Sequence, residues 1–364
     1  MANNPKSLYV HIPFCEHICK YCDFTKLFYF SKFEKPYLDA LEKEISSKLK
    51  NKIFTLYFGG GTPTALSDKG FERILNFASK YLDTDYEFTV EANVENLSES
   101  KLDIMKRCGV NRLSIGLQST CNALLKEIGR HHSYEDAQKI IKLAKSKGFS
   151  NINIDLIYGF KNESLNDLKK DLEEFIKLDI DHISIYSLIV EKGSMFFNEG
   201  YKTQDEEDSR NSYEFIVDYL RKHGYERYEI SNFARNKKYS RHNLTYWHNE
   251  EYYGCGLGAS GYVNGVRYEN TKSLPEYLKG NFISSREKVG PKEFEEYYLI
   301  TNLRLEQGFT RNEYQKLFSV DFEEKYKNKI KNFELQQYFN NTSDRIRLND
   351  EGLIMMDFVL RKLI

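Results

Sequence analysis

Between Leu8 and Tyr186, six short runs of β-branched and aromatic residues alternate with longer stretches of helical period, and this alternation restricts the fold more than any other feature. The strand segments are Leu8 to Ile12, Thr55 to Phe58, Phe88 to Glu91, Arg112 to Ile115, Ile152 to Ile157 and His182 to Tyr186. Helical patterns fill the gaps: Glu34 to Lys50, Asp68 to Tyr81, Ser98 to Arg107, Tyr134 to Lys147 and Leu165 to Leu178, with Ser67 and Leu97-Ser98 placed to cap the second and third. Strand–helix units in series imply an α/β fold with a parallel sheet inside and helices outside. Such sheets carry their chemistry on the loops at the carboxyl ends of the strands.

After Tyr186 the pattern loosens. A charged helix spans Asp205 to His223, and a Gly- and aromatic-rich stretch from Tyr225 to Tyr268 is expected as short strands and loops wrapping the sheet, with turns at Gly254, Gly256, Gly258 and Gly261. From Pro291 the chain is helical again, with Arg345 to Leu348 as a small β-wing and a boundary near Ser285 to Pro291. The expected division is 1–190, 191–288 and 289–364. The 53 Lys and Arg nearly cancel the 54 Asp and Glu, so no overall field recruits nucleic acid or an anionic membrane. No apolar run approaches the roughly 18 residues of a membrane span, and the first residues lack a signal peptide's apolar region. The expectation is a cytoplasmic protein with no integral membrane segment.

Six cysteines in 364 residues do not make a disulfide scaffold. Cys108, Cys121 and Cys255 are scattered, but Cys15, Cys19 and Cys22 form a C-x3-C-x2-C cluster just after the first strand. That spacing fits one metal centre. A zinc site needs a fourth ligand, which His11 or His17 could supply. A [4Fe–4S] cluster usually takes four thiolates, so three would leave one iron open to an external ligand. Gly59-Gly60-Gly61-Thr62-Pro63-Thr64 follows the second strand, where glycines permit close approach and exposed N–H groups can bind a carboxylate. The stretch lacks P-loop spacing, which disfavours ATP. Glu91, Gln118 and Asp155 stand at or near strand ends and converge on the same mouth, and Arg130 is placed to pair with Asp155 or with a ligand carboxylate.

Tyr9-Val10-His11-Ile12-Pro13-Phe14-Cys15 with Cys19-Lys20-Tyr21-Cys22 resembles the signature of the radical S-adenosylmethionine (SAM) superfamily. The resemblance implies a partial (β/α)6 TIM-like radical SAM barrel with a small, mostly helical C-terminal domain. It implies a [4Fe–4S] cluster on Cys15, Cys19 and Cys22, with adenosylmethionine capping the open iron. By the same resemblance the adenosylmethionine contacts are Tyr9, Tyr21, Gly60, Gly61, Thr62, Glu91, Gln118, Arg130, Asp155 and Ile189.

Nearly the whole chain resembles the branch that contains oxygen-independent coproporphyrinogen III oxidase and the haem chaperone family HemW. The oxidases have a further cysteine two residues after the third, where this chain has Phe24 in Cys22-Asp23-Phe24, as the chaperones do. His242-Asn243-Leu244-Thr245-Tyr246-Trp247 resembles the chaperones' H-N-x-x-Y-W motif. The resemblance implies haem as a ligand, with His242, Tyr246 and Trp247 as candidates, and delivery to client haemoproteins such as a membrane respiratory enzyme. From residue chemistry alone the same three side chains also suit packing against the barrel. The alternative is an enzyme of the oxidase type acting on a porphyrinogen. Two departures from the family pattern, Phe160-Lys161-Asn162-Glu163-Ser164 after Gly159 and Gly258-Ala259-Ser260-Gly261, bear on the porphyrin side.

Overall fold

The computed structural model describes residues 5–330 and 333–364. Six strands pair in chain order, all parallel: β1 (Ser7–Ile12), β2 (Ile53–Gly60), β3 (Leu82–Asn93), β4 (Arg112–Gln118), β5 (Ile152–Tyr158) and β6 (His182–Ser187). Tyr253–Cys255 adds in parallel beside β1, and Asn232–Ala234 adds antiparallel beside β6, followed by Glu226–Glu229. These outermost strands do not pair with each other, so the barrel is open along one side. Its strands alternate, one face apolar and packed under the helices, the other polar and turned inward with Thr55, Thr89, Ser114, Asn153 and Ser184. Leu56, Phe58, Val90, Ile115 and Ile154 are all completely buried.

Five helices cover the outside: α1 (Ser31–Lys48), α2 (Asp68–Ser79), α3 (Glu99–Arg107), α4 (Tyr134–Ser146) and α5 (Leu165–Lys177). Ser67 and Ser98 cap α2 and α3 by accepting the Gly70 and Lys101 amides. Ser133 with Asp136 and Ser164 with Asp167 form reciprocal capping boxes on α4 and α5. Each cap contributes about 1 kcal/mol and fixes where its βα loop ends. A separate hydrophobic core, including Tyr298, Phe309, Tyr314, Val359 and Leu363, holds the helical C-terminal part together. The β-wing forms there, Arg345–Ile346 pairing with Phe309–Thr310.

Two expectations are corrected between Tyr225 and Tyr268. Arg241–Trp247 is a helix, capped by Ser240, rather than strand or loop. Gly254 and Gly261 lie within strands, where neighbouring atoms leave no room for a side chain: an added Cβ would stand 1.8 Å from the Ser260 carbonyl oxygen and 2.3 Å from the Tyr268 ring.

The edge strand Tyr253–Cys255 is tied to the barrel by one acid. Glu44 of α1, with no exposed surface, accepts hydrogen bonds from Lys48 Nζ (2.6 Å), Asn270 Nδ2 (2.6 Å), Tyr277 Oη (2.6 Å) and the Gly256 amide (2.8 Å). Burying a charge is costly unless partners replace its water, and four donors do so here. Removing the acid leaves the mostly buried Lys48 ammonium with the Gly254 carbonyl (2.9 Å) but without a counter-charge. Glu44→Ala is therefore expected to cost about 3–5 kcal/mol, read as a fall in the midpoint of urea unfolding, whereas a change within about 0.5 kcal/mol would mean the network is dispensable.

Candidate functional site

The loop leaving β1 carries the cysteines. Cys15 belongs to a two-residue strand, Phe14–Cys15, that runs parallel to Leu27–Phe28, so the intervening loop is closed at its base. Tyr29 N donates to the Cys15 carbonyl at 2.8 Å, and Leu27 N to the Pro13 carbonyl at 2.7 Å. Below the loop, His11 spans Tyr9 Oη (3.0 Å) and the Thr25 carbonyl (2.7 Å), which commits both of its ring nitrogens. Burial holds that imidazole down at about 4, hence neutral. His11 is thus a strut, not the fourth ligand of a zinc ion. Among the described residues no three His, Cys, Asp or Glu side chains are gathered closely enough to hold a single metal ion.

The Gly60–Thr62 turn packs directly beneath the cysteines. Gly60 has φ +114°, and a Cβ there would stand 2.6 Å from the His11 ring; a Cβ on Gly61 would stand 2.9 Å from Cys15 Sγ. The expected role of the turn's N–H groups is corrected. Gly60 N donates to Glu91 Oε2 (3.1 Å), Gly61 N to the Ile12 carbonyl (2.8 Å) and Thr62 N to the Phe14 carbonyl (2.8 Å), so none is free for a ligand carboxylate. A ligand approaching this turn meets carbonyl oxygen and bare Cα instead.

Thr62 Oγ1 lies 3.6 Å from Cys15 Sγ, in position to donate to it, and Arg130 Nη1 lies 3.5 Å from Cys19 Sγ. Arg130 does not pair with Asp155, as the sequence suggests it might. Its guanidinium donates to Asn93 Oδ1 (2.9 Å) and the Gly116 carbonyl and lies 3.6 Å from Glu95, while its buried Nε has no partner. Asn93, unforeseen from sequence, joins Arg130 to Thr62, to which it donates at 2.9 Å. Burial pushes the Cys15 thiol up to about 11, against the pull of the Thr62 hydroxyl, so loading a metal there must displace a tightly held proton.

A cavity of about 450 Å³ opens above these groups, at the carboxyl end of the sheet. Of the sequence-selected residues, Cys15, Cys19, Tyr21, Cys22, Gly60, Gly61, Thr62, Glu91, Gln118, Arg130, Asp155 and Ile189 line it. Tyr9 does not; it lies lower, against His11 and Tyr57. Gln118 has φ +74°, a conformation that a residue with a side chain seldom adopts and one found where structure is held for function. Ser114, Gly116, Tyr186 and Leu188 also line the cavity, and only the fold reveals them.

The motif residues His242, Tyr246 and Trp247 stand elsewhere. His242 is buried deeper in the barrel on the same face of β2, stacked on Tyr57 with ring centroids 5.1 Å apart, and Tyr57 Oη donates to Glu91 at 2.7 Å. Its Nδ1 is 2.8 Å from Thr55 Oγ1 and its Nε2 is 2.7 Å from Tyr246 Oη. Iron ligation would require breaking one of these bonds inside the core. Trp247 is covered by Arg304 of the C-terminal part, whose guanidinium lies 4.5 Å above the ring and bonds Glu229 at 2.6 Å.

An open parallel barrel with a three-cysteine loop after its first strand and a cavity above it defines a radical SAM protein. Residues 9–175 match the Radical SAM superfamily, and residues 291–355 match the HemN C-terminal domain. The chain is 38% identical over its full length to the haem chaperone HemW of Lactococcus lactis subsp. lactis, covering 98% of it. It is 35% identical to the HemW of Bacillus subtilis, with 96% and 97% of the two chains aligned. The chain belongs to the HemW family. Coproporphyrinogen III oxidase (HemN) from Escherichia coli shares the fold, with a TM-score of 0.87 at 20% identity over 99% of this chain and 90% of that one.

Superfamily membership implies a [4Fe–4S] cluster and S-adenosylmethionine, and the residues present suit both. Three thiols, two of them beside hydroxyl or guanidinium donors, face a cavity whose floor is acidic. Burial pushes Glu91 up to about 7, with Asp155 adding to the effect, and burial pushes Asp155 up to about 6. Both carboxyls hold protons in the folded chain that the unfolded chain releases near pH 4. Stability of the ligand-free protein therefore falls as pH rises through roughly 4.5 to 7. A sulfonium cation offsets the ionised pair. Added adenosylmethionine should raise the melting temperature more at pH 8 than at pH 6, and Glu91→Gln should flatten that difference in a thermal-shift series; equal shifts at both pH values would contradict it.

Proposed function

We propose that this protein is a cytoplasmic haem chaperone that holds a [4Fe–4S] cluster and adenosylmethionine at the barrel mouth, binds haem, and passes it to client haemoproteins. The observation that carries this reading is identity to a HemW relative along the whole chain, C-terminal part included. Phe24, 64% exposed on the cavity rim where an oxidase has a further cysteine, supports it. Among the described residues no helix is long and apolar enough to cross a membrane, so a membrane-bound client would be approached from its soluble side.

Cys15, Cys19 and Cys22 would hold the cluster, which when bound supplies an iron site for adenosylmethionine and an electron for its reductive cleavage. The chain's own residues do the positioning. Arg130 and Thr62 place donors beside two of the sulfurs. The turn at Gly61 allows a ligand's ammonium group close to backbone oxygen, and Glu91 and Asp155 face its cationic and hydroxylated parts. Gln118 and Arg130 suit a carboxylate, Tyr21 closes the loop side, and exposed Ile189 offers an apolar rim. Tyr9 acts from below, by orienting His11. We assign His242, Tyr246 and Trp247 to holding the barrel against the C-terminal part. We further propose that 1–190 forms the cofactor unit, 191–288 its extension and 289–364 the helical unit, which the separate core of the last supports.

Anaerobic reconstitution followed by iron and sulfide analysis tests the cluster. Iron and sulfide should be stoichiometric in the unaltered chain and near background after Cys15→Ala, Cys19→Ala or Cys22→Ala. Transfer of bound haem to a haem-free client, without conversion of coproporphyrinogen III, is the outcome expected of a chaperone; conversion without transfer would overturn it.

A further inference from the structure

A second opening lies on the outer side of the cysteine loop, a groove of about 510 Å³. It is lined by His17, Lys20, Lys26, Phe28, His131 and Met195 together with the outer face of Cys22. The walls are apolar and open to solvent: Phe28 is 54% and Met195 44% exposed. His17 and His131, from loops more than a hundred residues apart, stack at 3.8 Å with their planes 23° apart. Five of the eight histidines have a ring nitrogen hydrogen-bonded to a neighbour, whereas among the described residues neither of these two does.

The geometry points to this groove as the haem site, with the His17–His131 pair supplying an axial imidazole and Lys20 and Lys26 meeting the propionates. This rests on the chaperone reading above and adds a location to it. A haem is a flat apolar plate with a metal at its centre that takes nitrogen or sulfur and two carboxylates on one edge. The groove presents two imidazoles without hydrogen-bond partners among the described residues, a thioether, an aromatic wall and two ammonium groups, of which Lys26 also donates to the Cys22 carbonyl at 2.6 Å. Lys20 now pairs with Glu199 at 3.0 Å on the surface, a contact worth little and easily exchanged for a propionate. Imidazole is the usual protein ligand of haem iron, and stacking holds this pair in place before iron arrives. His17, Ile18, Cys22 and Lys26 line the main cavity as well as the groove, so haem here would touch the same loop that carries the cysteines.

The test titrates haem and, separately, metal-free protoporphyrin IX into the full-length protein with its cluster reconstituted. His131→Ala lies outside the cysteine loop, so it separates haem ligation from cluster assembly; His17→Ala and the double variant are compared at matched iron content. Haem affinity should drop at least tenfold with a displaced Soret band in the double variant, while metal-free porphyrin binds as before. Lys20→Glu should weaken both porphyrins. His242→Ala should leave the Soret position unchanged. Wild-type affinity and spectrum in the double variant, or loss of the spectrum only in His242→Ala, would overturn the location and leave the chaperone reading standing. Absence of haem binding by the unaltered protein would remove both.

Discussion

Parallel pairing is the constraint on which the rest depends. Six strands running the same way deliver six loop starts to one end of the barrel, so Cys15, Gly61, Glu91, Gln118, Asp155 and Ile189 meet although 174 residues separate the first from the last. A residue shifted by one along any of these strands would turn its side chain to the other face of the sheet. Register is held by the buried apolar alternation beneath the mouth and by the capped helices outside it. Glu44 does the same for the edge strand, whose following loop lies against the cysteine loop.

Backbone proximity then decides what the mouth can bind. Gly60 and Gly61 let the second βα turn lie against His11 and Cys15, closer than a methyl group permits. The turn's N–H groups are used up in holding it there, which leaves a surface suited to a cation rather than an anion. Glu91 and Asp155 act in the same direction. Arg130 is the counterweight: its charge is held by Asn93, Gly116 and Glu95 and directed at Cys19, and it limits how acidic the cavity becomes beside the sulfurs. One mouth therefore offers an acidic floor and a cationic shoulder, matching a ligand that carries ammonium, sulfonium and carboxylate groups together.

The barrel was legible because its signals are local: each strand has its own β-branched run, and Ser67 and Ser98 announce the helices that follow. The cysteine spacing and the polar residues at strand ends were legible for the same reason. The helix Arg241–Trp247 was not, because two turns rich in aromatics carry no amphipathic period long enough to outweigh β propensity. Gly254 and Gly261 look like turn residues until the crossing chains that forbid a Cβ are in view. Arg130 stands at the mouth the sequence indicates but does not pair with Asp155, since its bonds to Asn93 and Gly116 depend on where β3 and β4 end. His17 and His131 carry no joint signal at all; only the return of the chain after β4 brings them into contact.

His242 is built into the barrel beneath the cavity, stacked on Tyr57, whose hydroxyl donates to Glu91. Its imidazole, held down at about 3 by burial and hence neutral, joins Thr55 of β2 to Tyr246 within its own helix. Its backbone amide donates to Glu87 of β3 at 2.9 Å. The same short helix presents Trp247 to Arg304, so three parts of the chain converge on one turn of helix. Asn, Tyr and Trp beside a histidine are the side chains such a junction needs, since each combines a packing surface with a hydrogen-bonding group. Arg304 and Trp247 thus join the C-terminal part to this helix, and His242 joins the helix to β2, whose far end is the Gly60–Thr62 turn.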